Sequence, residues 1–85
     1  MDTLTPVLLV DDIAANLVSL TGVLRAPNVE LLSAHSGTEA LELLLKHDVA
    51  VALIDVQMPS MNGFELAELM RGHARTRQVP IIFLT

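Results

Sequence analysis

Short, unbroken apolar runs alternate along this chain with segments whose apolar residues recur every three or four positions. Residues 7–10 (VLLV) are continuously apolar, as in a strand covered on both faces. Residues 14–25 place Leu17, Leu20 and Leu24 at helical spacing, and Ala26-Pro27-Asn28 breaks the pattern. Residues 29–34 (VELLSA) read as a second strand. Ser36-Gly37-Thr38 then leads into a helix through His47, with Leu41, Leu44 and Leu45 on one face. Glu39 and Glu42 suit its first turns and Lys46 its last, given the helix dipole. Residues 49–55 read as a third strand. Residues 62–71 predict a third helix on Phe64, Ala67 and Met70, with Gly72 suited to its C-terminal cap. Residues 80–84 (PIIFL) complete a fourth strand.

The order β-α-β-α-β-α-β implies an α/β fold. Its strands should be parallel, joined by right-handed crossovers, with helices on both faces of the sheet. In such sheets the functional crevice lies beyond the carboxyl ends of the strands. The first strand ends there on Asp11-Asp12, and the third ends there on Asp55.

Composition narrows the class. The 85 residues suffice for one small domain. A core of this size contributes no more than about 3–5 kcal/mol. At 52% apolar residues the chain commits itself to burial, and at 2% aromatic residues its core must be Leu, Val, Ile, Ala and Met. The absence of Cys excludes a disulfide framework and thiolate metal sites, and fits a reducing compartment. A net charge of −5 argues against nucleic acid as a direct partner. No apolar run approaches the roughly 18 residues that span a bilayer. The start MDTLTP lacks the basic region of a signal peptide. A cytoplasmic domain that engages no membrane is expected.

If the first and third strands are neighbours, Asp11, Asp12 and Asp55 share one pocket edge. Three carboxylates close together repel and raise one another's pKa. A hard cation relieves this, and Mg2+ takes oxygen ligands, typically one or two carboxylates with water and phosphate oxygens. Such a site can present one carboxylate as a nucleophile to a phosphoryl group. Each acid also has a plainer reading, Asp12 as the N-cap of the first helix and Asp55 as a turn former. Two strands of one sheet that both end in Asp at the same edge weigh against purely structural roles for all three.

Other chemistries fit less well. A nucleotide hydrolase would need a phosphate-binding G-x-x-x-x-G-K-[ST] loop upstream of VLLVDD, where only six residues precede the strand. Phosphatases of the haloacid dehalogenase type carry a second Asp two residues after the nucleophile, where this chain has Gln57. His35, His47 and His73 show no metal-ligand spacing. The run RGHARTR (residues 71–77) holds three of the five basic residues and reads as the close of the third helix and a solvated loop.

VLLVDD, AHSGTEALELL, ALIDVQMPSMNG and PIIFLT, in this order and spacing, resemble the receiver domain of two-component response regulators. The acid pair before the first helix and the D-x-x-M-P-x-M-x-G segment form the specific part of the signature. The resemblance implies a flavodoxin-like doubly wound parallel sheet of strand order 2-1-3-4-5. It implies that Asp55 accepts a phosphoryl group from a phosphohistidine on a sensor histidine kinase or phosphotransfer protein. It further implies that Asp11 and Asp12 hold Mg2+ with Asp55 and the backbone carbonyl of Gln57. Met58 and Pro59 would shape the loop over the site, and Gly63 would permit its backbone turn. Thr85 would be the hydroxyl that moves toward the new phosphoryl group. The module would be no enzyme in the ordinary sense, though it takes part in its own phosphoryl transfer.

The chain departs from that pattern in two places. Ile13 stands where the family often has a polar residue. After Thr85 the family would continue through a helix, a fifth strand and a fifth helix, with a Lys before that strand contacting the phosphoryl oxygens. Lys46, the only Lys here, lies at the wrong edge. Residues 1–85 are therefore expected to form a single truncated receiver domain whose apolar fourth strand is left at an edge. A homo-oligomer formed through that strand is the corollary. The rival to a phosphorylation switch is an interaction or self-association module that works without phosphate.

Overall fold

Parallel pairing around two inner strands organises the molecule. A computed structural model describes residues 3–84. The strands are β1 (Thr5–Val10), β2 (Val29–Ala34), β3 (Val51–Asp55) and β4 (Ile81–Leu84). The helices are α1 (Ala14–Leu24), α2 (Gly37–Lys46) and α3 (Gly63–Arg71). All pairs are parallel, and the sheet order is β2-β1-β3-β4. This is the α/β arrangement that the alternating pattern implies.

β1 is continuously apolar from Val7 to Val10, where both of its faces are covered. Leu8, Leu9 and Val10 are fully buried. Successive side chains of a strand point to opposite faces. Leu8, Val10, Ala52 and Ile54 accordingly join Ala40 and Leu44 of α2 and Leu66 and Met70 of α3 in one cluster. Leu9 and the buried Leu17 of α1 stand outside it. Leu17, Leu20 and Leu24 form the inward stripe of α1 as the spacing predicts, Leu17 buried and the others half-buried.

The other two helices are rotated from the faces read from their apolar residues. In α2 the buried positions are Gly37, Ala40 and Leu44, while Leu45 is 75% exposed. In α3 they are Gly63, Leu66 and Met70, while Phe64 is 53% exposed. Both helices start on a buried glycine and continue inward at its third and seventh successors. Glycine adds nothing to a hydrophobic pattern, so the pattern misses the inward phase. Phe64 instead meets Phe83 of β4, ring centroids 4.8 Å apart.

Local signals mark the helix starts. The Ser36 hydroxyl accepts from the Glu39 N–H (3.1 Å). Asn62 and Glu65 form a reciprocal capping box, both bonds 2.9 Å. Gly72 is the C-cap of α3 but keeps right-handed helical geometry. The basic run after α3 is more than a solvated loop. Arg71 donates to the carbonyls of Arg77 and Val79, and Arg75 donates to the Leu44 carbonyl and pairs with Asp48 at 3.2 Å. The buried Thr76 hydroxyl donates to the Met70 carbonyl. These bonds fasten the α3–β4 connection to itself and to the end of α2.

β4 pairs with β3 only, and Ile82 and Phe83 are 53% and 38% exposed. No helix among the described residues is long and apolar enough to cross a membrane.

Candidate functional site

Register builds the site. Val10 pairs with Ile54 across β1 and β3, so Asp11, just past the end of β1, stands beside Asp55, the last residue of β3. Asp12 follows at once. Oxygens of Asp11, Asp12 and Asp55 all lie within 4.8 Å of one another. The structure thus brings together the three acids that the strand ends single out.

Their environments differ. Asp11 is 4% exposed and held at both oxygens. Its Oδ1 accepts the Ile13 N–H at 2.9 Å, and its Oδ2 accepts from Asn16 Nδ2 at 3.1 Å. Asp12 is exposed. It does not cap α1, whose N-cap position is Ile13 with no side-chain cap bond. Asp55 is half-buried. Burial pushes its carboxyl above the ordinary aspartate value, the charge of Asp11 adds to this, and Asp12 contributes less. The backbone N–H groups of Gln57 and Val56 pull the other way without cancelling the rise.

The donor set fits a hard divalent cation. Three carboxylates converge, and the ion pairs among the described residues, His35–Glu39 and Arg75–Asp48, lie elsewhere. Anionic oxygens left without a cationic partner are the ligands that Mg2+ prefers. Beside them runs an open groove of about 390 Å³, lined by Asp11, Asn16, Ser19, Leu20, Asp55 and Leu84, none of them basic.

The loop after β3 is shaped by close approach. Gly63 is needed, but not for an unusual backbone angle, since no glycine here has positive φ. A Cβ at Gly63 would run into the Asp55 carbonyl and Ile54 Cγ2, because its own N–H donates to the Val56 carbonyl at 2.9 Å. The strained residue is Ser60, with φ of 68°. Met58 is buried in the core cluster beneath the loop, and Pro59 is exposed. Gln57 is exposed beside Asp55. Thr85 lies outside the described residues.

Asn16 is the site residue that sequence reasoning misses. A lone polar side chain in the first turn of a helix resembles any solvated position. Its signal is spacing, one helical turn beyond the acid pair and on the side of the strand end.

A family model for the response regulator receiver domain matches residues 7–85. The response regulator PleD of Caulobacter vibrioides is 34% identical over 79 residues, which are 93% of this chain and 17% of PleD. The polar-differentiation response regulator DivK of Brucella abortus is 29% identical over 79 residues, 93% of this chain and 64% of DivK. Among solved structures, the N-terminal domain of a response regulator receiver protein from Methanoculleus marisnigri JR1 is similar, with a TM-score of 0.90 and 30% identity. That match covers 98% of this chain and 68% of the other. The chain spans less than a fifth of PleD and under two thirds of DivK.

Proposed function

Because the chain belongs to the receiver domain family of two-component response regulators, we propose that Asp55 accepts a phosphoryl group from a phosphohistidine. The donor is a sensor histidine kinase or a phosphotransfer protein in the cytoplasm. Asp11, Asp12, Asp55 and the backbone carbonyl of Gln57 would hold Mg2+ there. The observation that carries this reading is the convergence of Asp11, Asp12 and Asp55 within 4.8 Å at the carboxyl edge of neighbouring strands.

An oxygen of Asp55 forms a bond to phosphorus as the bond from phosphorus to the donor's imidazole nitrogen breaks. The imidazole leaves with that electron pair and takes a proton from water, and nothing is oxidised or reduced. Asp55 lines the groove, through which a donor would reach it. Asp11, tied at both oxygens, keeps its position while charge gathers beside it. Mg2+ held by these acids would supply positive charge to offset that of the transferring group. Thr85 is the hydroxyl assigned to sense the product. The role is that of a phosphoacceptor, not of an enzyme turning over a separate substrate.

Incubation with a small phosphodonor and Mg2+, read by intact mass, tests this. The chain should gain one phosphoryl group, and Asp55→Asn should gain none. A folded sample that stays unmodified, or an equal gain in Asp55→Asn, overturns the reading. The exposed Ile82 and Phe83 favour a second reading, self-association along β4, which does not depend on phosphate.

A further inference from the structure

We propose that Asn16 is a positioning residue for the acid site, fixing Asp11 through its side-chain amide in the orientation that receives the cation. The inference rests on the Mg2+ reading above and deepens it.

Asp11 has two hydrogen-bond donors of different origin. Oδ1 takes the Ile13 N–H from the loop at 2.9 Å, and Oδ2 takes Asn16 Nδ2 from α1 at 3.1 Å. An ionised carboxylate has about four acceptor directions, so one remains on each oxygen for a further ligand. Without these tethers, repulsion from Asp12 and Asp55 would swing the Asp11 carboxylate away from them. With them, the carboxylate plane is set from both sides.

The chemistry of the donor matters as much as its place. A Lys or Arg at position 16 would pair with Asp11 and cancel the charge that draws a cation. A neutral amide orients the carboxylate and leaves its charge intact. Partners of this kind around metal ligands act by fixing orientation.

The plainer role for an Asn in the first turn of a helix is capping. Capping requires a side-chain oxygen that accepts from the orphan N–H groups. Here the amide donates, and α1 has no side-chain cap bond. Nor does local preference explain the residue. Ala14 and Ala15 precede it, and Asn is a poorer helix former than Ala. Asn16 also lines the same groove as Asp11 and Asp55, where the donor's phosphoryl group would enter.

The test is Mg2+ binding to the 85-residue chain by calorimetry, for the parent, Asn16→Ala and Asn16→Gln, with folding checked by circular dichroism. The rise in melting temperature on adding Mg2+ is measured for each, since that increment cancels any change in metal-free stability. Asn16→Ala is expected to bind Mg2+ about 10-fold more weakly or worse, with a smaller increment. Asn16→Gln, which keeps an amide donor, should recover part of the loss. An Asn16→Ala affinity equal to the parent's overturns the assignment. So does an Asn16→Ala variant that melts lower by the same amount with and without Mg2+, or a loss that Asn16→Gln does not lessen. Failure of the parent itself to bind Mg2+ is a different result, because it removes the metal reading and this inference with it.

Discussion

Replacing Asp55 by Asn should stabilise the metal-free chain, because burial and the charge of Asp11 both oppose ionisation at that position. The sign follows from linkage. The folded state binds the Asp55 proton more tightly than the unfolded chain does. Stability therefore falls as pH rises from the ordinary aspartate range through the raised value, and stays lower above it. Thermal melts without Mg2+ should show this acid-side slope in the parent and a weaker one in Asp55→Asn. At neutral pH the variant should melt a few degrees higher, and a lower melting point would contradict the account. The acids were legible in the chain because an apolar run that stops on a carboxylate is conspicuous. Asn16 and the left-handed Ser60 were not. The first is recognisable only by what it touches, and the second only by a backbone angle.

Helix phase is a property of the element, and here glycines set it. Gly37-Ala40-Leu44 and Gly63-Leu66-Met70 face inward, whereas the apolar pattern alone points to Leu45 and Phe64. The starts of α2 and α3 were readable near Ser36 and Asn62, whereas the cap bonds of Ser36 and of the Asn62–Glu65 pair emerged only in the folded chain. The inward turn of each helix was not readable, because a missing side chain leaves no mark on a hydrophobic pattern. The two glycines should respond differently to substitution. A methyl at Gly63 meets the Asp55 carbonyl, which is backbone and cannot swing aside. A methyl at Gly37 meets the side chain of Met61, which can. Gly63→Ala is expected to cost about 2–3 kcal/mol in urea unfolding and to disturb the carboxylate it adjoins. Gly37→Ala should fall within about 1 kcal/mol of the parent, because the gain in helix propensity offsets the repacking. Equal costs would show that close approach is not what requires Gly63.

At the scale of the whole molecule, alternation of strand and helix was enough to imply a parallel sheet. The order of its strands was not contained in any local pattern. It came only with the resemblance, and the pairing β2-β1-β3-β4 agrees with it. The outer side of β4 is the global feature with the clearest physical outcome. IIFL carries no charge or proline within the strand, and its adjacent residues Ile82 and Phe83, on opposite faces, are both partly exposed. Sedimentation equilibrium at micromolar concentration should show association that Ile82→Lys weakens. A monomer throughout would remove the edge as a contact.

The register that sets Val10 against Ile54 also bears on how the chain reaches its native state. Val7 must find Val51 across the intervening α1, β2 and α2, and distant pairings of this kind form slowly. When they form, the last step of zipping brings two like charges together at the end of the sheet. Refolding of β1 onto β3 should therefore meet an electrostatic barrier at neutral pH. Stopped-flow refolding is expected to quicken when Mg2+ is present, or when Asp55 is replaced by Asn. The crowding of carboxylates at the strand ends would then also set the pace at which the sheet closes.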